Sequence, residues 1–193
     1  MLQSIICFMR ALAFAAVVAA AVVLAHGIAS AGQDDPRLDK LFDTLKSTDS
    51  DEEAQRTEAE IWRVWIAHKN PEIEKLMRRG MAAFNEDDQE GALEAFNGVV
   101  QSDKSFAEGW NKRATVEYAM GDFEASIADI ERTLALEPRH FGALSGLGQI
   151  YLAMEKKALA LKAFEAALKI DPHLSGVREN VEELRKELQG SPI

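Results

Sequence analysis

One phrase recurs three times along this chain at a fixed interval. It reads EAFNGVVQSDK at 94–104, ADIERTLALEP at 128–138 and KAFEAALKIDP at 162–172, each copy 34 residues after the last. Like letters at equal spacing call for like local structure with like neighbours, so this recurrence constrains the fold more than composition does. Rows can be started at Ile73, Ala107 and Phe141. Column four then holds Leu76, Trp110 and Leu144, and column twenty-four holds Phe96, Ile130 and Phe164. Columns eight and twenty hold only small residues: Gly80, Ala114 and Gly148, then Ala92, Ser126 and Ala160.

Each row reads as two helices separated by a polar turn: NEDDQ (85–89), MGDFE (120–124) or MEKKA (154–158). Small residues in columns eight and twenty let the two helices cross closely, and the bulky columns fill the space around the crossing. Pro138 and Pro172 lack an N–H and stop the second helix. Lys104 stands at that column in the first row, which predicts a looser end there. One such hairpin buries too little surface to stand alone, so hairpins stack.

The period and the columns resemble the tetratricopeptide repeat, whose hallmark is small residues at eight and twenty with an aromatic at twenty-four. The resemblance covers 73–174 as three rows, 73–106, 107–140 and 141–174, without a gap. It implies an all-α solenoid of helical hairpins. The departures are Arg79 where leucine is usual, Lys104 for proline, Ser126 for alanine and Ile130 for the aromatic.

A stack needs capping at both ends. At the carboxyl end, 175–193 supplies a helix with Val177, Val181, Leu184 and Leu188 on one stripe and Ser175 as its N-cap. At the amino end, 32–72 reads as a degenerate repeat. Leu38, Leu41, Phe42 and Leu45 share one face; Ile61, Trp62, Trp65 and Ile66 share another; Ser50 and Glu53 form a capping box between them. Its positions eight and twenty are Lys46 and Glu58, so its helices cross less closely. Both tryptophans are expected against the first helix of the first row, near Leu76 and Ala83; the alternative leaves Trp62 and Trp65 exposed as a secondary partner surface.

Residues 1–31 read as an export signal. Arg10 precedes the uncharged run ALAFAAVVAAAVVLA (11–25), and Ala29 and Ala31 give the small-x-small pattern that places cleavage after Ala31. A helix of that run is roughly 22 Å long, short of the roughly 30 Å hydrocarbon core. The alternative is an uncleaved membrane anchor, since residues 5–8 lengthen the apolar stretch. The expected compartment is therefore the periplasm or the exterior, with membrane contact only if the segment stays attached. Removing Arg10 takes the formal charge from −10 to −11, an excess of carboxylate that repels phosphate backbones and argues against nucleic acid. The only cysteine, Cys7, falls inside the segment, so the exported chain has no disulfide.

No catalytic constellation or cofactor motif is legible. His68, His140 and His173 are isolated and read as solvated loop residues. The run DSDEEAQRTEAE (49–60) has Ala54 where a calcium loop requires glycine, and a helix start explains its acids as well.

What remains is the inner face, which the resemblance places on the first helix of each row. It would be lined by Met77, Met81 and Phe84, then Asn111, Thr115 and Tyr118, then Ser145, Gln149 and Leu152. The lysines and asparagines with which chaperone-tail-binding members hold a terminal carboxylate are replaced here by methionines and glycine, and Glu74 and Glu108 repel an anionic tail. The expectation is a non-catalytic module that binds a protein or peptide segment, an adaptor or assembly factor of the cell envelope. A membrane-anchored scaffold and a self-associating homo-oligomer are the alternatives.

Overall fold

The computed structural model describes residues 32–190. The expected export segment 1–31, with Cys7, lies outside those residues. The described chain forms a 3-10 turn, Gly32–Asp34, and nine α-helices, with no strand among them. They are α1 (Arg37–Ser47), α2 (Asp51–Ile66), α3 (Pro71–Asn85), α4 (Gln89–Ser102), α5 (Ala107–Ala119), α6 (Phe123–Leu136), α7 (Phe141–Ala153), α8 (Lys157–Ile170) and α9 (Ser175–Gly190). Among the described residues no helix is long and apolar enough to cross a membrane.

The pairs α3/α4, α5/α6 and α7/α8 are the three repeats, stacked in order, and α9 closes the stack. Val177, Val181 and Leu184 pack on Phe164 and Ala167, while Leu188 stays exposed.

Helix ends follow from the local sequence. Asn70, Asp88 and Asp122 accept a backbone N–H in the first turns of α3, α4 and α6, and Pro71 sits in the first turn of α3, where its missing N–H costs nothing. In the turn inside each repeat the same column adopts a left-handed backbone, at Asp87 (φ 62°), Gly121 (φ 80°) and Glu155 (φ 59°). Only the second row places there the residue that does so without strain.

The crossing inside each repeat depends on paired sizes. A Cβ on Gly148 would lie 2.4 Å from the Phe164 ring, and one on Gly80 would lie 2.7 Å from the Phe96 ring. In the second row the smaller Ile130 replaces phenylalanine and Ala114 replaces glycine. Ser126, fully buried there, donates its hydroxyl to the Ala114 carbonyl at 2.7 Å.

Two expectations are corrected. The first row ends as cleanly as the others: α4 stops at Ser102, in the same column where α6 and α8 stop. Asp103 folds back to accept the Ser105 N–H at 2.8 Å, the same bond that Glu137 and Asp171 make across Pro138 and Pro172, so the turn forms without proline. More consequentially, the hairpin α1–α2 does not stack before the first repeat. It runs along the edge formed by the turns that join one repeat to the next. Gln33 meets the first of these turns, donating to the Ser105 carbonyl at 2.6 Å and accepting from the Ala107 N–H at 3.3 Å. Asp39 meets the second, 2.7 Å from Arg139. Ile170 and Leu174, flanking the third, pack against the cluster of Leu38, Phe42, Leu45 and Ile61.

Among the described residues no helix lies in front of the leading face of α3, and its Lys75, Arg79 and Ala82 are exposed. Arg79 occupies the usual leucine column because that column faces water here, where it pairs with Glu94 at 3.2 Å.

Two substitutions test this packing by thermal unfolding. Gly148→Ala forces a methyl into the Phe164 ring and is expected to cost about 1–3 kcal/mol. Lys156 occupies the N-cap of α8 without a side-chain bond, at φ −88° and ψ 59°, close to the conformation of the capping Asp122. Lys156→Asp is expected to stabilise by about 1 kcal/mol.

Candidate functional site

The inner face of the array divides into a covered rim and an open centre. The rim is where α5 and α7 begin, and α2 lies over it. Trp65, 1% exposed, stacks on the His140 ring with centroids 4.0 Å apart and planes 9° from parallel. Trp62 stands edge-on to Trp65, His140 and Phe141, with its outer ring against Gly142, where a Cβ would come within 2.4 Å. Lys112 Nζ lies 5.4 Å from the centre of the same indole.

Beneath the tryptophans is a buried polar network. His140 caps α7 by accepting the Ala143 N–H on Nδ1 at 3.0 Å. That bond requires an unprotonated Nδ1, so the proton sits on Nε2 and is donated to Glu108 Oε2 at 2.9 Å. Glu108 also pairs with Lys112 at 3.1 Å and accepts from Asn111 Nδ2 at 3.1 Å. Burial opposes its ionisation, but the Lys112 charge and the His140 hydrogen bond outweigh burial and hold the carboxyl below its ordinary range.

The structure corrects several expectations at this rim. His140 is not a solvated loop residue; it is fully buried, because it is at once helix cap, ring platform and hydrogen-bond donor. His68 is likewise tucked in, 3.1 Å from Asp103 and edge-on to Phe106. Neither tryptophan reaches Leu76 and Ala83, which belong to the cluster around α3 and α4. Trp65 is core and offers no partner surface; Trp62 is half-buried under the same packing.

One groove position is also withdrawn. Met77 is 1% exposed, packed with Ile73, Phe96, Phe106 and Val116, since α5 closes over that side of α3. Asn111 does line an inner-face notch, but deep within it and with its amide committed to Glu108.

The open centre remains. Between α5 and α7 lies a notch of about 120 Å³, floored by Ala114, Ile130 and Ile150 and rimmed by Thr115, Tyr118, Gly146 and Gln149. Tyr118 and Thr115 are exposed; Ser145, Gln149 and Leu152 are half-buried. At the amino end of the same face Met81 and Phe84 are half-buried, partly spent on the α3–α4 cluster.

A second ionic cluster holds α5 from its other side, and the sequence pattern gave no sign of it. Arg113 grips Asp129 of α6 through two bonds of 2.6 and 2.7 Å and donates to Asn97 of α4 at 2.8 Å. Glu117 lies 3.5 Å from this guanidinium. Burial and the Asp129 charge nevertheless push the Glu117 carboxyl up to about 7 from an ordinary 4.5. Among the described residues no group of three or more His, Cys, Asp or Glu is placed to hold a metal ion.

Folding therefore favours protonated Glu117. Its contribution to stability is full below the ordinary carboxyl value and is lost as pH rises toward 7. In Glu117→Gln that loss disappears. The variant is expected to melt above the wild type at pH 8, by roughly 1–2 kcal/mol, with the gap closing at pH 4. Thermal unfolding of both proteins across that range checks this.

The repeats have counterparts in known proteins. A tetratricopeptide repeat family model matches residues 111–175. A TPR repeat-containing protein of Rhizobium etli is 36% identical over 155 residues, which cover 80% of this chain and 76% of that protein. Among solved structures, MamA superposes with a TM-score of 0.58 at 20% identity, over 72% of this chain and 79% of its own. The TPR2B domain of yeast Sti1, solved as its pHsp70 complex, gives a TM-score of 0.57 at 18% identity, over 61% of this chain and 99% of that one. At such identities the structural likenesses establish the fold.

Proposed function

This chain belongs to the tetratricopeptide repeat family, and on that premise we propose that it is a non-catalytic module that captures a segment of another protein on its inner face. The observation that carries this reading is the notch between α5 and α7. It is apolar at its floor, polar at its rim and left open, while the large side chains around it are committed to packing. Hydrogen-bonding groups at Thr115 and Gln149 suit the backbone of an extended segment, and Tyr118 supplies an amphipathic anchor at low entropy cost. The Sti1 domain is solved with pHsp70 and the first TPR of Spaghetti with an HSP90 peptide, which supports a peptide as the class of partner here.

The partner's chemistry differs from an acidic chaperone tail. Lysine is absent from the lining of the notch, and Lys112, the nearest on α5, is engaged with Glu108 and Trp62. The partner segment is accordingly uncharged or weakly basic around one aliphatic residue that enters the notch. The export-like segment 1–31 supports action in the periplasm or cell envelope, as an adaptor or assembly factor.

A photocrosslinking residue at Tyr118, compared in cells with one at the exposed Glu131 on α6, tests the reading. Tyr118 is expected to yield a discrete adduct identifiable by mass spectrometry, and Glu131 none. Against the partner so identified, Tyr118→Ala is expected to weaken binding about thirtyfold with an unchanged melting midpoint. Equal labelling at the two sites, or undiminished affinity in the variant, places the binding surface elsewhere.

A further inference from the structure

α7 contains Gly142, Gly146 and Gly148, and two of the three have a packing reason. Gly148 crosses against the Phe164 ring and Gly142 lies under Trp62; a Cβ at either would come within 2.4 Å of a ring atom. Gly146 has no such neighbour. A Cβ there would meet only Ile130 Cδ1, at 3.7 Å, an ordinary contact. Its backbone is not left-handed, so no turn requires it either. The same column holds Arg78 in the first row and Lys112 in the second, so the repeat itself does not call for a small residue. A glycine in mid-helix weakens the helix relative to alanine, and here no packing contact offsets that loss.

What the missing side chain leaves is room. Gly146 borders the notch between α5 and α7, and Ile130, which its Cβ would touch, belongs to the floor. The polar side chains that reach this depth are already engaged: Ser126 donates to the Ala114 carbonyl at 2.7 Å and Asn111 to Glu108 at 3.1 Å. The floor therefore suits an apolar group. Its size suits a small one, since about 120 Å³ is less than the roughly 150 Å³ of an apolar cavity that admits benzene. Charge points the same way. The 13 residues of α7, FGALSGLGQIYLA, include no charged one, although Ser145, Gln149 and Leu152 on its inner side are only half-buried. α5, in the same place one row earlier, carries Glu108, Lys112, Arg113 and Glu117. Charge is depleted at the core of an interface, where a partner removes the water.

On the premise that the inner face captures a protein segment, we propose that Gly146 is the specificity-determining residue of the notch. Its bare backbone lets one leucine- or isoleucine-sized side chain of an uncharged partner segment seat against Ile130, and an aromatic ring is too large to follow. A methyl at position 146 occupies the space that this side chain needs. One methylene more or less in an apolar pocket changes discrimination by about 10–200-fold, so the effect on binding is large while the fold has room for the change.

A phage-displayed library of random dodecapeptides, selected on the protein, supplies the probe. Selected peptides are expected to carry one leucine or isoleucine in an uncharged stretch and to bind Tyr118→Ala more weakly. Gly146→Ala is expected to weaken them about tenfold or more while its melting midpoint rises by about 2–4 °C, because the methyl improves the helix and fills only the notch. Shortening the peptide's aliphatic residue to alanine weakens binding to the wild type, and Gly146→Ala no longer distinguishes the two peptides. If Gly146→Ala binds as the wild type does while Tyr118→Ala does not, the inner face captures segments without selection at Gly146, and this proposal fails alone. If neither substitution weakens binding, or the library yields no peptide, the capture reading falls with it. A melting midpoint of Gly146→Ala below the wild type's returns the glycine to packing and overturns the proposal, as does selection of peptides with an aromatic residue in place of the aliphatic one. A photocrosslinking residue at Tyr118 that joins the protein to itself puts a second copy in the notch and overturns the assignment to a partner's segment.

Discussion

The indole of Trp65 stacked on the imidazole of His140 fixes the hairpin on the array and, with it, the rim of the inner face. The ring contact works because His140 cannot turn. Its Nδ1 is held by the Ala143 N–H and its Nε2 by Glu108, so the platform is rigid before Trp65 arrives. Glu108 must stay ionised to accept those bonds while fully buried, which Lys112 and Asn111 make tolerable. Breaking one partner of such a network leaves a buried charge uncompensated, which is costlier than the loss of one bond. The arrangement has its own expense, since Trp65 Nε1 is buried without a partner.

The repeats were legible in the sequence because their signal is columnar. Gly80 faces Phe96, Gly148 faces Phe164, and Ala114 faces Ile130: residue size on one helix compensates size on the other, at a spacing any alignment of rows displays. The docking of α1–α2 was not legible, for an equally physical reason. Its partners are Ser105, Arg139, His140 and Leu174, which sit in connecting turns, where sequence pattern carries little information about distant contacts. Column register then misleads, because an amphipathic hairpin of similar period satisfies it without stacking. One trace was available: Arg79 in a leucine column marks a face that no other described helix covers.

The groove was half legible for a related reason. Helical periodicity places Met77, Met81 and Phe84 on one side of α3, but the depth to which the next repeat covers that side is a property of packing. Asn111 shows the complement: its register toward the inner face was sound, yet Glu108 one turn earlier claims its amide. What survives as open surface lies farther along each first helix, beyond the reach of α2.

A solenoid of this kind ordinarily holds together through contacts between neighbours alone, so its repeats can fray from an end. Here the segment 32–70 bonds to the first turn between repeats through Gln33 and His68, to the second through Asp39 and Trp65, and packs on the residues flanking the third. Those contacts join residues far apart in the chain, 35 positions for His68 and Asp103 and 100 for Asp39 and Arg139, and they bind all three repeats to one brace. Relative motion of α5 and α7, which form the two walls of the notch, must shear the His140–Glu108 bond between them and disturb Trp62, which lies against both Gly142 of α7 and Lys112 of α5. The brace thus sets the width of the notch as well as the stability of the stack, and the same residues that hide the rim define what the open centre can admit.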